Sequence, residues 1–146
     1  MASPAHLVRR FVGSLSRRPP SPADEGWVRG WMADSEWALW VQMGVADRRH
    51  AVLVARRFVD RRPAATRAEM AGVLLHDIGK IDAGLGTLAR VVATVGGPRT
   101  DRFRRYHDHE RIGAGLLEAA GSDPVTVALV AGAGDAFADL RAADDI

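Results

Sequence analysis

An all-α bundle of about six or seven helices is the fold this sequence predicts, and three observations predict it. Apolar residues recur at helical spacing along most of the chain, as His50, Val54 and Phe58 do at i, i+4, i+8. Capping signals stand in front of those stretches, the clearest being Thr66-Arg-Ala-Glu69 and Asp123-Pro124. No segment alternates with the period of two that marks a strand, and there is no internal repeat. At 146 residues the chain fits one domain with a sizeable core.

The elements follow in order. Residues 1–23 contain no acidic residue and end in Arg17-Arg-Pro-Pro-Ser-Pro, which breaks any short helix begun at His6. They read as a basic arm, mobile or loosely docked, although its Arg and Ser content superficially resembles a transit peptide. Residues 24–146 read as a single helical domain. Trp27 and Trp31 share a face from Asp24 onward, and Asp34 or Ser35 can cap a segment Glu36 to Met43. All four tryptophans fall within residues 27–40 and read as core or lid packing. Asp47 to about Asp60 is the next helix, with His50 on its inward side, and Pro63 follows its end. Thr66 caps a helix through Met70, Val73, Leu74 and Leu75 to His76 and Asp77, with Gly79 as its stop. Ile81 to Val95 is mostly helical, loosened at Gly84 and Gly86. The arginines at 99, 102, 104 and 105 form a local positive patch, either a solvated turn or an attractor of phosphate. Tyr106 to Ala120 is helical, and Gly113 and Gly115 permit close approach of another helix. Pro124 to about Gly132 and Asp135 to Asp144 complete the set.

Composition excludes several chemistries. With no cysteine, disulfides, thiolate metal sites and Cys nucleophiles are ruled out. A bound metal must be held by His and carboxylates, which favours Mn, Fe, Mg or Zn over copper-type sites. No uncharged apolar run approaches the roughly 18 residues of a membrane span, and no secretory h-region is present, which together point to a cytoplasmic protein. Arginine abundance at a net charge of only +2 is weak support for nucleic-acid binding. Lys80 says more, because it is the only lysine and stands beside His76-Asp77.

The chemistry-bearing residues lie far apart in sequence: His50, then His76-Asp77, then His107-Asp108-His109-Glu110, then Asp144-Asp145. They can converge on a metal around His76 and Asp77. His50 alone also reads as a hydrogen-bonded core histidine. The order and local text, Asp47-Arg-Arg-His50, Leu75-His76-Asp77-Ile-Gly-Lys80, Tyr106-His-Asp-His109-Glu-x-x-Gly113 and Ala143-Asp144, resemble the HD-domain superfamily of metal-dependent phosphohydrolases over roughly residues 36–146. The resemblance implies a helical bundle in which His50, His76, Asp77 and Asp144 bind one divalent ion (Mn, Fe, Mg, Zn, Co or Ni). It implies a small phosphorylated substrate, such as a nucleotide, cleaved by metal-activated water. Lys80 and His109 would stabilise the phosphoryl oxygens, with Asp82, Asp108 or Glu110 as proton carrier. Two-metal members carry a further His in the region that here reads Val130-Ala-Gly-Ala-Gly-Asp135, and residues 124–146 contain none. The chain therefore resembles a one-metal or partly degenerate member, and a non-catalytic regulatory module is the other reading. The Gly-Tyr-Pro signature of the cyclic-dinucleotide phosphodiesterases is absent.

Overall fold

A computed structural model describes residues 18–80 and 102–145. Side chains at 102–108 fall outside that description, as do the first 17 residues and residues 81–101. The expected helix over 81–95, Asp82, the proton-carrier candidate Asp108 and the arginine patch at 99–105 therefore lie wholly or in their side chains outside the described residues.

The described residues form seven α-helices and one 3₁₀ turn, with no strand among them. The helices are α1 (Pro22–Arg29), α2 (Asp34–Trp40), α3 (Val45–Arg61), α4 (Arg67–Leu74), α5 (Arg102–Ala119), α6 (Pro124–Val130) and α7 (Phe137–Asp144), and the 3₁₀ turn spans Ile78–Lys80. Side-chain caps explain three of the starts. Ser21 accepts a hydrogen bond from the Asp24 amide ahead of Pro22, and Asp123 accepts one from Val125 ahead of Pro124. Thr66 and Glu69 form the reciprocal capping box.

Some boundaries differ from the sequence expectation. Ala33, which has no capping oxygen, precedes α2; the Glu36 carboxylate instead accepts the Ala33 amide at 2.9 Å and a Ser122 hydroxyl at 2.7 Å. That second bond ties α2 to the loop after α5. α3 begins at Val45 and α5 at Arg102, both ahead of the expected starts, whereas α7 begins at Phe137, after Asp135. The left-handed backbone of Gly132 (φ 90°) and Gly134 (φ 96°) delays that last helix.

α4 is the centre of the bundle: Met70, Ala71, Gly72, Val73 and Leu74 are all buried along it. It packs on α6 and α3, while α5 packs on α6 and on the 3₁₀ turn, and α3 packs on α7. Phe58, Leu74, Leu117 and Leu129 are fully enclosed where these helices meet. The tryptophans behave as packing residues. Trp40 is fully buried and donates to Glu25 at 3.0 Å, Trp27 meets Trp31 edge-on, and Arg56 stacks over Trp27 at 3.9 Å. At the other end, Arg62 reaches both Glu69 of α4 and Asp139 of α7, and Arg61 also reaches Asp139. These ion pairs hold the start of α7 against the end of α3.

A close backbone contact joins the 3₁₀ turn to α5. A Cβ built on Gly79 would stand 1.9 Å from the carbonyl oxygen of His109, and one on Gly113 would stand 3.0 Å from Ile78. Two chain segments touch there without side chains between them.

Two stability predictions follow from these contacts. Gly79→Ala must displace backbone, so it lowers unfolding free energy by about 3 kcal/mol or more, whereas exposed Gly26→Ala on α1 has open space and raises it by up to about 1 kcal/mol. Urea unfolding of the two variants should show opposite signs; equal effects would contradict the Gly79 contact. For Glu69, burial favours the protonated acid, but the Thr66 amide and the Arg62 guanidinium outweigh it and hold its pKa below 4.5. A depressed folded-state pKa gives stability that is present above 4.5 and lost as pH falls through the folded value. Glu69→Gln keeps an acceptor for the cap and removes the charge. It is therefore less stable than wild type at neutral pH, and the gap narrows on acidification; a gap independent of pH would contradict the assignment.

Candidate metal centre

The site forms where α4 ends. The sequence pattern carries that helix on to Asp77, but regular α-helix stops at Leu74. Leu75 has left helical geometry at φ −104° and ψ 13°. The chain then tightens into i to i+3 hydrogen bonds: Ile78 amide to Leu75 carbonyl at 2.9 Å and Lys80 amide to Asp77 carbonyl at 2.9 Å. In a helix His76 and Asp77 would point about 100° apart. In this turn an Asp77 oxygen lies 3.4 Å from His76 Nε2. Residues three apart align in such a turn, which brings Lys80 Nζ to 3.4 Å from the other Asp77 oxygen.

Two further segments converge on His76. His50 comes from α3, on the side of that helix where Val54 and Phe58 are fully buried. Asp144 comes from the last turn of α7. Its Oδ1 stands 2.6 Å from His50 Nε2 and 3.7 Å from His76 Nε2. One ligand atom from each of His50, His76 and Asp144 falls within 4.8 Å of the other two. Asp144, not Asp145, is the carboxylate delivered: Asp145 is exposed just past the helix end.

His76 is prepared as a ligand. Its Nδ1 lies 2.6 Å from the Val73 carbonyl, to which it donates, leaving Nε2 to face the carboxylates. Nε2 is buried and has no hydrogen-bond partner. An orphaned imidazole nitrogen beside two carboxylates is a poor arrangement for packing alone, because burying an unsatisfied polar atom is costly. It fits a ligand set of two imidazole nitrogens and carboxylate oxygen, which suits a divalent ion of the Mn-to-Zn type. The electrostatics agree. Burial pushes His76 toward its neutral form, yet the charges of Asp144 and Asp77 outweigh it and raise its pKa above the ordinary value. Burial likewise opposes ionisation of Asp144, but His50 and His76 hold its carboxyl far below the usual range. Positive charge at the His76 position is thus favoured by the two carboxylates beside it.

Of the residues picked out in the sequence, the structure unites His50, His76 and Asp144. Asp77 flanks His76 without joining the mutually close trio, and Lys80 is bound to Asp77 with its side chain 42% exposed. His109 is an exposed residue of α5 outside the trio, although its backbone carbonyl abuts Gly79. The sequence reads Val73 only as an apolar residue of its helix; its carbonyl sets the His76 tautomer, and its place three residues before a histidine in a final helical turn was the available signal. Asp139 was also missed. Together with Arg61 and Arg62 it anchors the helix that presents Asp144.

Purified protein, after reconstitution, should hold about one divalent ion per chain by elemental analysis, and His76→Ala should abolish it. Wild-type protein that takes up no ion, or a His76→Ala variant that retains it, would contradict the site. No family model, curated protein or solved structure gives a significant match to this chain, so the functional reading rests on these residues.

Proposed function

We propose that this protein is a metal-dependent phosphohydrolase of HD-domain type, acting on a nucleotide or another small phosphate ester. The observation that carries the reading is the meeting of His50, His76 and Asp144 from three separate segments around a buried, unpartnered His76 Nε2. The match of residue order to the HD-domain pattern supports it independently.

The proposed roles follow from position and charge. His50, His76 and Asp144 hold the ion, with Asp77 beside them as the fourth ligand. A bound divalent ion supplies an acidified water and screens phosphate charge. Val73 keeps His76 in the tautomer that leaves Nε2 available. Lys80 is half in solvent and paired with Asp77, so its ammonium can exchange part of that pairing for a phosphate oxygen. His109 stands on the helix packed against Gly79, next to Lys80 in sequence, and is the second candidate for phosphate contact. Among the described residues no helix is long and apolar enough to cross a membrane.

A second reading is a non-catalytic module that binds metal or nucleotide and regulates a partner. What favours it is the lack of any histidine in residues 124–146. Within Val130-Ala-Gly-Ala-Gly-Asp135, the region where the resemblance expects that histidine, a Cβ on Gly132 would stand 2.8 Å from the Glu110 carboxylate.

A screen of nucleotides and generic phosphate esters with Mn, Fe, Co, Ni, Zn and Mg separates the two. The hydrolase reading expects turnover that is lost in Asp77→Ala and falls by about 100-fold in Lys80→Ala. No turnover by metal-loaded protein on any ester would favour the regulatory module, and turnover unchanged by Asp77→Ala would overturn the assigned site.

A further inference from the structure

We infer that the groove between residues 18–22 and α3 is a separate binding site for a small organic anion. The groove has a volume of about 580 Å³, within the roughly 300–1,000 Å³ typical of small-molecule sites. Among the described residues its lining carries three guanidinium groups, Arg18, Arg49 and Arg56, and one carboxylate, Asp24.

That carboxylate is committed elsewhere. Asp24 accepts from Arg56 Nη2 at 2.9 Å, and Arg56 is further fixed over the Trp27 ring. Arg49 stands apart from this pairing. It is half-buried, forms no ion pair with the described acidic residues, and keeps one Nη atom wholly buried without a hydrogen-bond partner. A partly desolvated guanidinium with no carboxylate is an attractor for an external anion. The segment 18–22 that lines the groove supplies none, because it contains no Asp or Glu.

Apart from Ser21, the rest of the lining is apolar. Prolines 19, 20 and 22 offer no backbone N–H, and Leu53 presents a side chain that is 49% exposed. Such a surface suits the carbon body of a ligand whose charged head meets Arg49. The site is also distinct from the metal centre. Arg49, Val52, Leu53 and Arg56 share one face of α3, and His50 lies about 100° around the helix from Arg49. The ligand class is therefore an organic phosphate or carboxylate with an apolar portion, and the inference does not depend on the hydrolase reading.

The test is an NMR titration of the full chain with phenyl phosphate and, separately, with benzoate, each with and without a metal chelator. Saturable binding that shifts amides of residues 49–56, persists with chelator and weakens as salt is raised is the expected result. The relative affinity of the two probes tells which headgroup the groove takes. Arg49→Gln should weaken binding about tenfold or more. Leu53→Asp, a surface change that leaves the core untouched, should weaken it as well. No saturable binding of either probe, binding abolished by the chelator, or full affinity retained in both variants would overturn the inference.

Discussion

The candidate centre depends on how the chain leaves α4. The α-helix must stop at Leu74 so that the following turn can gather His76, Asp77 and Lys80 on one side. That turn survives because Gly79 lets it lie directly against the backbone of α5. A side chain at position 79 would push the turn away from α5, and the ligands riding on it would move too. The glycine is thus a steric condition of the site, where the sequence suggested only a helix stop. α5 has its own small residue at the crossing, Gly113, which admits Ile78 and Val130.

Holding negative groups together carries an electrostatic cost, and the fold distributes it. Asp77 shares its charge between His76 and Lys80, and Asp144 leans on His50. His76 Nε2, buried beside both carboxylates, is left without a hydrogen-bond partner. In a packed interior such an atom is usually satisfied, so its position at the meeting point of two carboxylates is one that could hold a cation. The remote ion pairs of Arg61 and Arg62 with Asp139 serve the same end mechanically. They fix α7 at its start, and Asp144 sits at its finish.

Much of this was legible in the sequence, and the remainder was hidden for physical reasons. Thr66 and Glu69 act within one helical turn, so local spacing sufficed to predict their capping box. The all-α class followed from helical periodicity, capping signals and the lack of any period-two segment. The end of α4 was not legible, because Leu75 and His76 are acceptable helix residues and only packing against α5 breaks them out. The choice between Asp144 and Asp145 also needed the fold. Asp144 lies one turn after buried Leu140 and shares its inward side, whereas Asp145 falls beyond the helix in solvent. The starts of α3 and α5 shifted because helices extend into residues with no apolar pattern when the chain on either side permits it. Asp77 shows the limit of reading roles from order: its neighbour joins the trio directly, while it stands at the edge against Lys80.

X-ray absorption spectroscopy of the zinc-loaded chain tests the central claim most directly, because it counts the groups around the ion. The account predicts two imidazole ligands with the remaining coordination from oxygen, reduced to one imidazole in His50→Ala. A spectrum with no imidazole scattering, or one unchanged by His50→Ala, would contradict it.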